Sequence, residues 1–377
     1  MTKPTTFPFV SVSGTPYERG RSYGAAVPDR VRRSAELYGK TLHALNYTAT
    51  ERKGLIKGFA NQIEAIGAHY IEEMRGIADG AGVELDDVVM INARTEVVAK
   101  ARLHRRVETS LEPEDGCTGA IVLAPRSKTG ELIHAQNWDW RSECAETGIV
   151  LRVTRQDGPD FLTFVEAGGL ARSGLNEAGI AITANYLESD RDFRQEGVPL
   201  ALIRRMVLEQ SHFAHAVRAV AATPKACSNN MMISTAEGFA IDFECAPDEA
   251  FATYPDNDLL VHANHWVSPV ALVKLKDTGL ANAPDSVYRD WRVRRLLDAV
   301  DGRIGVADIK QALFDDFATP YSVCRPPRPS SNSNLSASVA MIVLEPSEGT
   351  MEVAPLPALQ REFTRYSLRR DPVTLAA

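Results

Sequence analysis

The chain has 377 residues, of which 44% are hydrophobic and 24% charged, and its net charge is −7. This composition is typical of a globular protein, and the length suits one large or two ordinary domains. No long basic run indicates nucleic acid or an anionic membrane as a partner, and no apolar run approaches the ~20 residues of a membrane span. The first ten residues lack the pattern of a secretory signal, so we expect a cytoplasmic protein.

The first hundred residues carry helix signals. Thr15 is placed to cap a helix, with a proline directly after it and a glutamate three residues on. Thr48 or Thr50 begins a longer helix, in which apolar residues recur in steps of three and four over 55–77. A shorter helix is predicted over 85–99. This part of the chain is therefore predicted to be almost wholly helical.

The pattern changes at Cys117 to short β-type runs separated by turn signals. The predicted strands are 120–123, 132–138, 149–153, 161–165, 179–186, 230–234, 239–243, 259–262 and 339–344. Helical pairs at 199–222 and 286–315 interrupt them. Runs of strands between blocks of helices favour α+β layers over a repeated βαβ unit.

Gly116 and Cys117 lie where a charged segment meets the first β-type run. We expect the glycine to permit backbone angles that are closed to other residues, which suits a strained peptide bond. If the Gly116–Cys117 bond breaks, Cys117 gains an α-amino group, and nucleophile and base then share one residue. The alternative is a buried cysteine that opens a core strand.

Asp139 follows the next predicted strand, so a hairpin would return it to the side of Cys117, where an acid orients and tunes its neighbours. The alternative for Asp139 is an acid that caps a turn. Asn264 follows a later strand, where an amide donor suits an oxyanion, although turn asparagines are commoner. Arg325 is suited to hold a carboxylate, either of a substrate or of Asp139, and the alternative is a solvated arginine at a loop edge.

Metal, disulfide and nucleotide sites are not predicted. The five cysteines are odd in number and widely spaced, which disfavours a disulfide framework or a structural zinc site. His262 and His265 lack a third metal ligand at a recognisable spacing. No G-x-G-x-x-G or P-loop pattern occurs, so we predict no cofactor.

Eight segments, taken together and in order, resemble the acyl-coenzyme A:6-aminopenicillanic acid acyltransferase (isopenicillin N acyltransferase-like) family. Members of this family are N-terminal-nucleophile enzymes that are made as one chain and cut themselves. The matching segments are Gly14-Thr15-Pro16-Tyr17-Glu18, Glu73-Met74-Arg75-Gly76-Ile77-Ala78, Asp115-Gly116-Cys117-Thr118, Gln136-Asn137-Trp138-Asp139, Glu166-Ala167-Gly168, Asn176-Glu177-Ala178-Gly179, Ala263-Asn264-His265 and Ser322-Val323-Cys324-Arg325.

The resemblance implies an α+β fold, namely an αββα four-layer sandwich of the N-terminal-nucleophile hydrolase type with a mainly helical N-terminal segment. It also implies self-cleavage after Gly116, which separates a small subunit, 1–116, from a catalytic subunit, 117–377. The two fragments would stay associated as a heterodimer within one compact domain, and further oligomerisation is left open.

The same resemblance implies that Cys117 is the nucleophile and that Asp139, Asn264 and Arg325 match the polar active-site positions of the family. We therefore predict an amidohydrolase or acyltransferase that forms an acyl-enzyme on Cys117 from a small N-acyl amide or an acyl thioester. Acyl-CoA is one candidate donor. The substrate-binding residues, and the choice between hydrolysis and transfer, are not indicated by the sequence. The alternative is a non-catalytic binding module with the same fold, in which Cys117 is never processed.

Overall fold

A computed structural model of the chain describes residues 6–105, 116–329 and 335–369. Asp115, which belongs to one of the matching segments, lies outside these residues. Before the predicted cleavage site the helices are α1 (Pro16–Ala26), α2 (Pro28–Ala44), α3 (Ala49–Ile66), α4 (Ala68–Ala81), α5 (Leu85–Asn92) and α6 (Arg94–Arg105). After it they are α7 (Leu200–Leu208), α8 (Phe213–Ala222), α9 (Pro269–Lys274), α10 (Asp285–Asp298) and α11 (Val306–Leu313).

The predicted helix starts are confirmed by their caps. The hydroxyl of Thr15 accepts the backbone N–H of Glu18, while the Glu18 carboxylate accepts the backbone N–H of Thr15. Thr48 and Glu51 form the same reciprocal pair at the start of α3. Each pair satisfies backbone donors that have no partner inside the helix.

Two predicted helices are each divided in the structure. The long helix predicted from residue 48 ends at Gly67, whose backbone is extended (φ 178°, ψ 117°), and α4 begins at the next residue. The helix predicted over 85–99 is split at Ala93, which ends α5 with φ −110° and ψ 20°. The apolar periodicity continues across both breaks, so it does not reveal them.

The described strands are β1 (Phe9–Val12), β2 (Gly116–Val122), β3 (Ile133–Arg141), β4 (Gly148–Val153), β5 (Phe161–Glu166), β6 (Ser173–Asn176), β7 (Ile180–Tyr186), β8 (Asn229–Thr235), β9 (Ala240–Cys245), β10 (Ala250–Thr253), β11 (Leu259–His262), β12 (Arg328–Pro329), β13 (Leu335–Glu345), β14 (Thr350–Pro355) and β15 (Thr364–Ser367). All nine predicted strands are present. The unpredicted β6 has the sequence Ser-Gly-Leu-Asn, which carries little β propensity, and it is held by its ladders with β5 and β7.

The strands form two sheets. The first has the order β1-β4-β5-β6-β7-β8-β9-β10, and the second has the order β11-β2-β3-β13-β14-β15, with β12 beside β13. The pairing of β1 with β4 is parallel, and the other pairings among the described strands are antiparallel.

Helices cover the outer faces of the two sheets, which pack against each other. In the second sheet, β2 and β3 contact β7 of the first, while α7 and α8 lie on the first sheet and α10 and α11 on the second. Polar side chains also join the sheets: His134 of β3 bonds Thr183 of β7 at 2.8 Å and Ser234 of β8 at 2.9 Å. Burial lowers the pKa of His134 to about 3, so the ring is neutral. These layers form an αββα sandwich and confirm the predicted fold class.

The helical N-terminal segment is held to α7, which lies on the first sheet, by a buried ionic network. Glu73 of α4 binds Arg19 of α1 at 2.7 Å and Arg205 of α7 at 2.8 Å. Helices α1 and α4 also pack closely. A Cβ on Gly20 of α1 would lie 2.1 Å from the carbonyl oxygen of Glu73. These contacts join residues on both sides of the Gly116–Cys117 bond. Across the described ranges, no helix is both long and apolar enough to span a membrane.

Candidate functional site around Cys117

The hairpin of β2 and β3 places the predicted acid beside the predicted nucleophile. In its antiparallel register, Gly116 pairs with Asp139 and Cys117 pairs with Trp138. The turn between the strands includes Gly130, whose φ of 74° lies in the left-handed region that glycine favours. Asp139 therefore lies across the ladder from the peptide bond that is predicted to break.

The packing gives a reason for a glycine at position 116. A Cβ at this position would lie 2.7 Å from the Cζ atom of Arg325. Arg325 packs its guanidinium group directly on the glycine, and there is no room for a side chain.

Side chains hold the backbone of Cys117 from both directions. Its N–H donates to Asn264 Oδ1 at 2.7 Å, and its carbonyl oxygen accepts from Arg289 Nη1 at 2.7 Å. The same Nη1 atom donates to the hydroxyl of Thr118 at 2.9 Å. Cys117 is 1% exposed. The peptide groups around the cysteine are therefore fixed by specific polar contacts as well as by the strand ladder.

Asn264 lies beside Cys117, as the sequence predicted, but its carboxamide oxygen, rather than its amide nitrogen, faces the backbone N–H of Cys117. Oδ1 accepts from the Cys117 N–H and from Arg289 Nη2, the latter at 2.9 Å. The amide nitrogen donates to the carbonyl oxygen of Tyr186 at 2.9 Å. In this arrangement Asn264 orients the nitrogen that would become the α-amino group. An oxyanion contact would use the second N–H of Nδ2.

Arg325 is fully buried, which rules out the alternative of a solvated arginine at a loop edge. Its Nε atom lies 3.1 Å from Asp139 Oδ2, and its Nη2 atom pairs with Asp285. Ser338 donates to the other oxygen of Asp139 at 2.5 Å. Burial raises the pKa of Asp139, and the charge of Arg325 opposes that rise. Of the two carboxylates considered for Arg325, the structure places Asp139 against it.

Asp285 and Arg289 complete this network, and sequence reasoning missed both. Arg289 Nε donates to Asp285 Oδ2 at 2.7 Å across one turn of α10, and Asp285 also holds Arg325. The i,i+4 acid–arginine spacing is visible in the sequence, but such pairs are common on solvated helix faces. What sets this pair apart is the packing of α10 against β2 and β11.

The two histidines beside Asn264 have other partners. His262 Nε2 bonds Glu244 Oε1 at 2.7 Å, and His265 Nδ1 bonds the hydroxyl of Ser286 at 2.7 Å. Although burial opposes it, the charges of Asp242 and Glu244 raise the pKa of His262 to about 10. No group of three or more His, Cys, Asp or Glu side chains arranged for a metal ion occurs among the residues that the structure describes.

A narrow cavity opens at Cys117, and its lining includes Arg94, Arg172, Tyr186 and Arg204. The structure thus brings Cys117 together with all three predicted polar residues. Cys117 lines the cavity, and the carboxamide of Asn264 contacts its backbone nitrogen. A buried chain of alternating acids and arginines runs from Asp139 through Arg325 and Asp285 to Arg289. This arrangement can hold a carbonyl carbon near sulfur and stabilise charge around it.

Comparison with known proteins identifies the family of this chain. The family model described as acyl-coenzyme A:6-aminopenicillanic acid acyl-transferase matches residues 126–354. The chain is 28% identical over 324 residues to the acyl-coenzyme A:6-aminopenicillanic-acid-acyltransferase 40 kDa form of Emericella nidulans, and the alignment covers 84% of each chain. That relative is named as an acyltransferase, and this chain is an enzyme of the amide hydrolase or acyltransferase class.

Among solved structures, the chain is similar to a mutant of the conjugated bile acid hydrolase from Clostridium perfringens, with a TM-score of 0.49, 12% identity, and coverage of 67% of this chain and 92% of that one. It is also similar to the penicillin V acylase from Agrobacterium tumefaciens, with a TM-score of 0.40, 14% identity, and coverage of 67% and 86%. Because the family model spans more than half of the residues, this chain belongs to the acyl-coenzyme A:6-aminopenicillanic acid acyltransferase family.

Proposed function

We propose that the protein is an autoprocessed cysteine amidohydrolase or acyltransferase that acts through an acyl-enzyme on Cys117. The observation that carries this proposal is the double restraint of the Cys117 backbone, by Asn264 at its nitrogen and by Arg289 at its carbonyl oxygen. Every buried peptide group needs a hydrogen-bond partner, and Cys117 lies beyond the end of the β11 ladder, so side chains supply those partners. A side-chain acceptor such as Asn264 Oδ1 can keep its contact with the nitrogen after the peptide bond breaks, which suits a nucleophile that also serves as an amine.

Maturation would begin with attack of the Cys117 thiolate on the carbonyl carbon of Gly116. The carbon–nitrogen bond then breaks, the nitrogen takes up a proton to become an α-amino group, and a thioester joins Gly116 to the sulfur. Water hydrolyses the thioester and releases the Gly116 carboxylate and the thiol. Arg325 supports this step, since its guanidinium group lies on Gly116 and its buried Nη1 atom has no hydrogen-bond acceptor among the described residues. In this proposal it stabilises the negative charge that develops on the Gly116 carbonyl oxygen.

Turnover would use the same groups on an external carbonyl. The new α-amino group takes the thiol proton and later returns a proton to the leaving group, while Asn264 Oδ1 keeps the amine oriented. The positive charges of Arg289 and Arg325 favour the neutral form of that amine, which is the form that acts as a base. The acyl group then passes to water or to an acceptor amine.

The substrate would be a small amide or acyl donor, with acyl-CoA among the candidates. We propose no cofactor and no nucleic-acid or membrane partner. The fragments 1–116 and 117–377 would remain a heterodimer, because the network around Glu73 spans the cleavage site. The five cysteines are buried and form no disulfide with one another, which supports the proposed cytoplasmic location, where thiols stay reduced.

Mass spectrometry of the purified protein tests maturation. We expect two fragments in the wild type, 1–116 and 117–377, and one intact chain for Cys117→Ala. Cys245→Ala is the matched control, since Cys245 is equally buried but lies in β9 of the other sheet, and it should mature normally. Efficient cleavage of Cys117→Ala would remove Cys117 from the mechanism. An uncut wild type without activity on a panel of amides would favour the binding-module alternative.

A further inference from the structure

A buried carboxylate, that of Glu244 in β9, binds both ends of the loop that carries Asn264. Its Oε1 atom bonds His262 Nε2 at 2.7 Å and accepts the backbone N–H of Val267 at 2.6 Å. Its Oε2 atom accepts the backbone N–H of Ser268 at 2.9 Å. His262 ends β11, and Ser268 caps α9. One side chain therefore joins the residue where the loop leaves its strand to the residues where it enters the next helix.

The histidine at the start of this loop faces two acids. Asp242 and Glu244 are fully buried and two residues apart in β9, so their side chains lie on one face of the strand. His262 Nε2 lies 3.8 Å from Asp242 Oδ2. Burial opposes a charge on His262, but the two acids outweigh it and raise its pKa to about 10, so the ring is an imidazolium at neutral pH. The other partners of Asp242 are Asn230 and Thr253, which lie in β8 and β10.

The loop in turn presents Asn264 to the nucleophile. The backbone N–H of Asn264 donates to Ser286 Oγ at 2.6 Å, and its side-chain Oδ1 accepts the N–H of Cys117 at 2.7 Å. Side-chain acceptors thus bind the N–H groups at positions 264, 267 and 268, and Glu244 supplies the acceptors for two of these three. The place of the Asn264 carboxamide therefore depends on a carboxylate that does not itself touch the reacting atoms.

We propose that Glu244 is a positioning residue for the reaction at Cys117, because it fixes the loop that orients Asn264. The inference rests on the proposed function, since it assigns Glu244 a part in the same reaction. Glu244 belongs to the first sheet, whereas Cys117 and β11 belong to the second, so the carboxylate links the packing of the two sheets to the geometry of the site. A displacement of about 1 Å that starts far from the chemistry can cost about 10²-fold in rate.

Glu244→Gln and Asp242→Asn form a matched pair of variants. Each removes one buried negative charge from the same face of β9 and leaves His262 with one carboxylate, but only Glu244→Gln changes the acceptors of the loop. A carboxamide has one acceptor oxygen, and its NH₂ group would meet an N–H group. Self-cleavage after Gly116, followed by mass spectrometry of chain made by cell-free translation, needs no external substrate. We expect Glu244→Gln to slow it about tenfold to a hundredfold and Asp242→Asn less than about threefold.

A double-mutant cycle with Asn264→Ala separates positioning from a general loss of stability. If Glu244 acts through Asn264, Glu244→Gln should slow cleavage of the Asn264→Ala chain by less than about threefold, because the group that it positions is already gone. A purely structural role would slow both backgrounds equally. Equal slowing would overturn the proposal, and so would an Asp242→Asn chain that cleaves as slowly as Glu244→Gln.

Hydrogen exchange separates this inference from the proposed function, because it requires no reaction. In the Cys117→Ala background, Glu244→Gln should speed amide exchange about tenfold or more in peptides that cover 263–268 and leave those of α3 unchanged, whereas Asp242→Asn should alter neither. Faster exchange confined to the loop supports the role of Glu244 even if the wild type is never cleaved, which would count against the proposed reaction alone. Unchanged exchange in a protein whose wild type does cleave itself would overturn the role and leave the proposed function standing.

Glu244→Asp is the second variant, for use in both measurements if Glu244→Gln does not fold. It keeps the negative charge beside His262 but shortens the reach to the loop by one methylene group. We expect slower cleavage and faster exchange of 263–268 from it as well. Wild-type values for both would show that the charge alone matters and would refute the positioning role.

Discussion

Asp285→Asn should be among the most damaging single substitutions in the described part of the chain. One oxygen of Asp285 binds both Arg289 and Arg325, and the exposed fractions of these three residues are 3%, 0% and 0%. With Asp139, the four side chains carry two negative and two positive charges. Asparagine keeps the shape but removes one negative charge, which leaves two buried guanidinium groups with one carboxylate.

The size of the stability loss expected for Asp285→Asn follows from its burial. Removing one partner of a buried ion pair typically costs about 3–5 kcal/mol, because a charge is left uncompensated in a poorly solvated place. Asp298→Asn provides the matched control. Asp298 ends the same helix and binds Arg126 at 2.8 Å, but its side chain is 52% exposed. An exposed pair of this kind contributes about 0–1 kcal/mol.

Urea denaturation at pH 7 measures both variants, with Cys117→Ala as the background, so that the proposed cleavage does not complicate the transition. We expect Asp285→Asn to lower the free energy of unfolding by about 3–5 kcal/mol and Asp298→Asn by less than about 1 kcal/mol. Similar small losses for both variants would refute the view that Asp285 stabilises the site through buried charge.

The difference in free energy of unfolding between the wild-type residue and Asp285→Asn should depend on pH. Burial works against ionisation of Asp285, but the charges of Arg289 and Arg325 outweigh it and lower its pKa below the usual value. A lowered pKa adds stability above the pKa of the unfolded chain, about 3.9, and this stability is lost as the pH falls through the folded value. The advantage of the wild-type residue over asparagine should therefore shrink below about pH 4.

Substitutions at three further positions test the site. Asn264→Asp keeps an oxygen acceptor for the backbone N–H of Cys117 but lacks the amide N–H. If Asn264 also donates to the oxyanion, mature Asn264→Asp and Asn264→Ala should both lose about 10²–10³ in kcat, with kcat/KM falling in parallel. A kcat of Asn264→Asp within about threefold of wild type would limit Asn264 to orienting the amine. Asp139→Asn should slow maturation in a mass-spectrometric time course while circular dichroism stays native, and an unchanged rate would leave Asp139 a structural role. Gly116→Ala should also slow cleavage, since its Cβ would lie 2.7 Å from the guanidinium carbon of Arg325, whereas Gly54→Ala, with open space around it, should not.

The sequence predicted the fold class, and the four candidate residues that it singled out lie together in the structure, because their signals are local or ordered along the chain. Capping threonines, β-type runs and turns determine elements within a few residues of themselves. The position of Asp139 followed from a hairpin, whose register brings two nearby segments together. The weakly patterned β6 and the helix break at Gly67 were missed, since tertiary pairing and one backbone conformation decide them.

Only the tertiary structure decided how the site works. Arg289 is 172 residues from Cys117 along the chain, yet it holds the carbonyl oxygen of that cysteine. A side chain at position 116 would meet the guanidinium group of Arg325, which only the packing places there. Arg94, Arg172 and Arg204 come from three separate elements. A sequence records which charges exist, but their energy depends on burial and on distances of a few ångströms, and only the packed layers set those quantities.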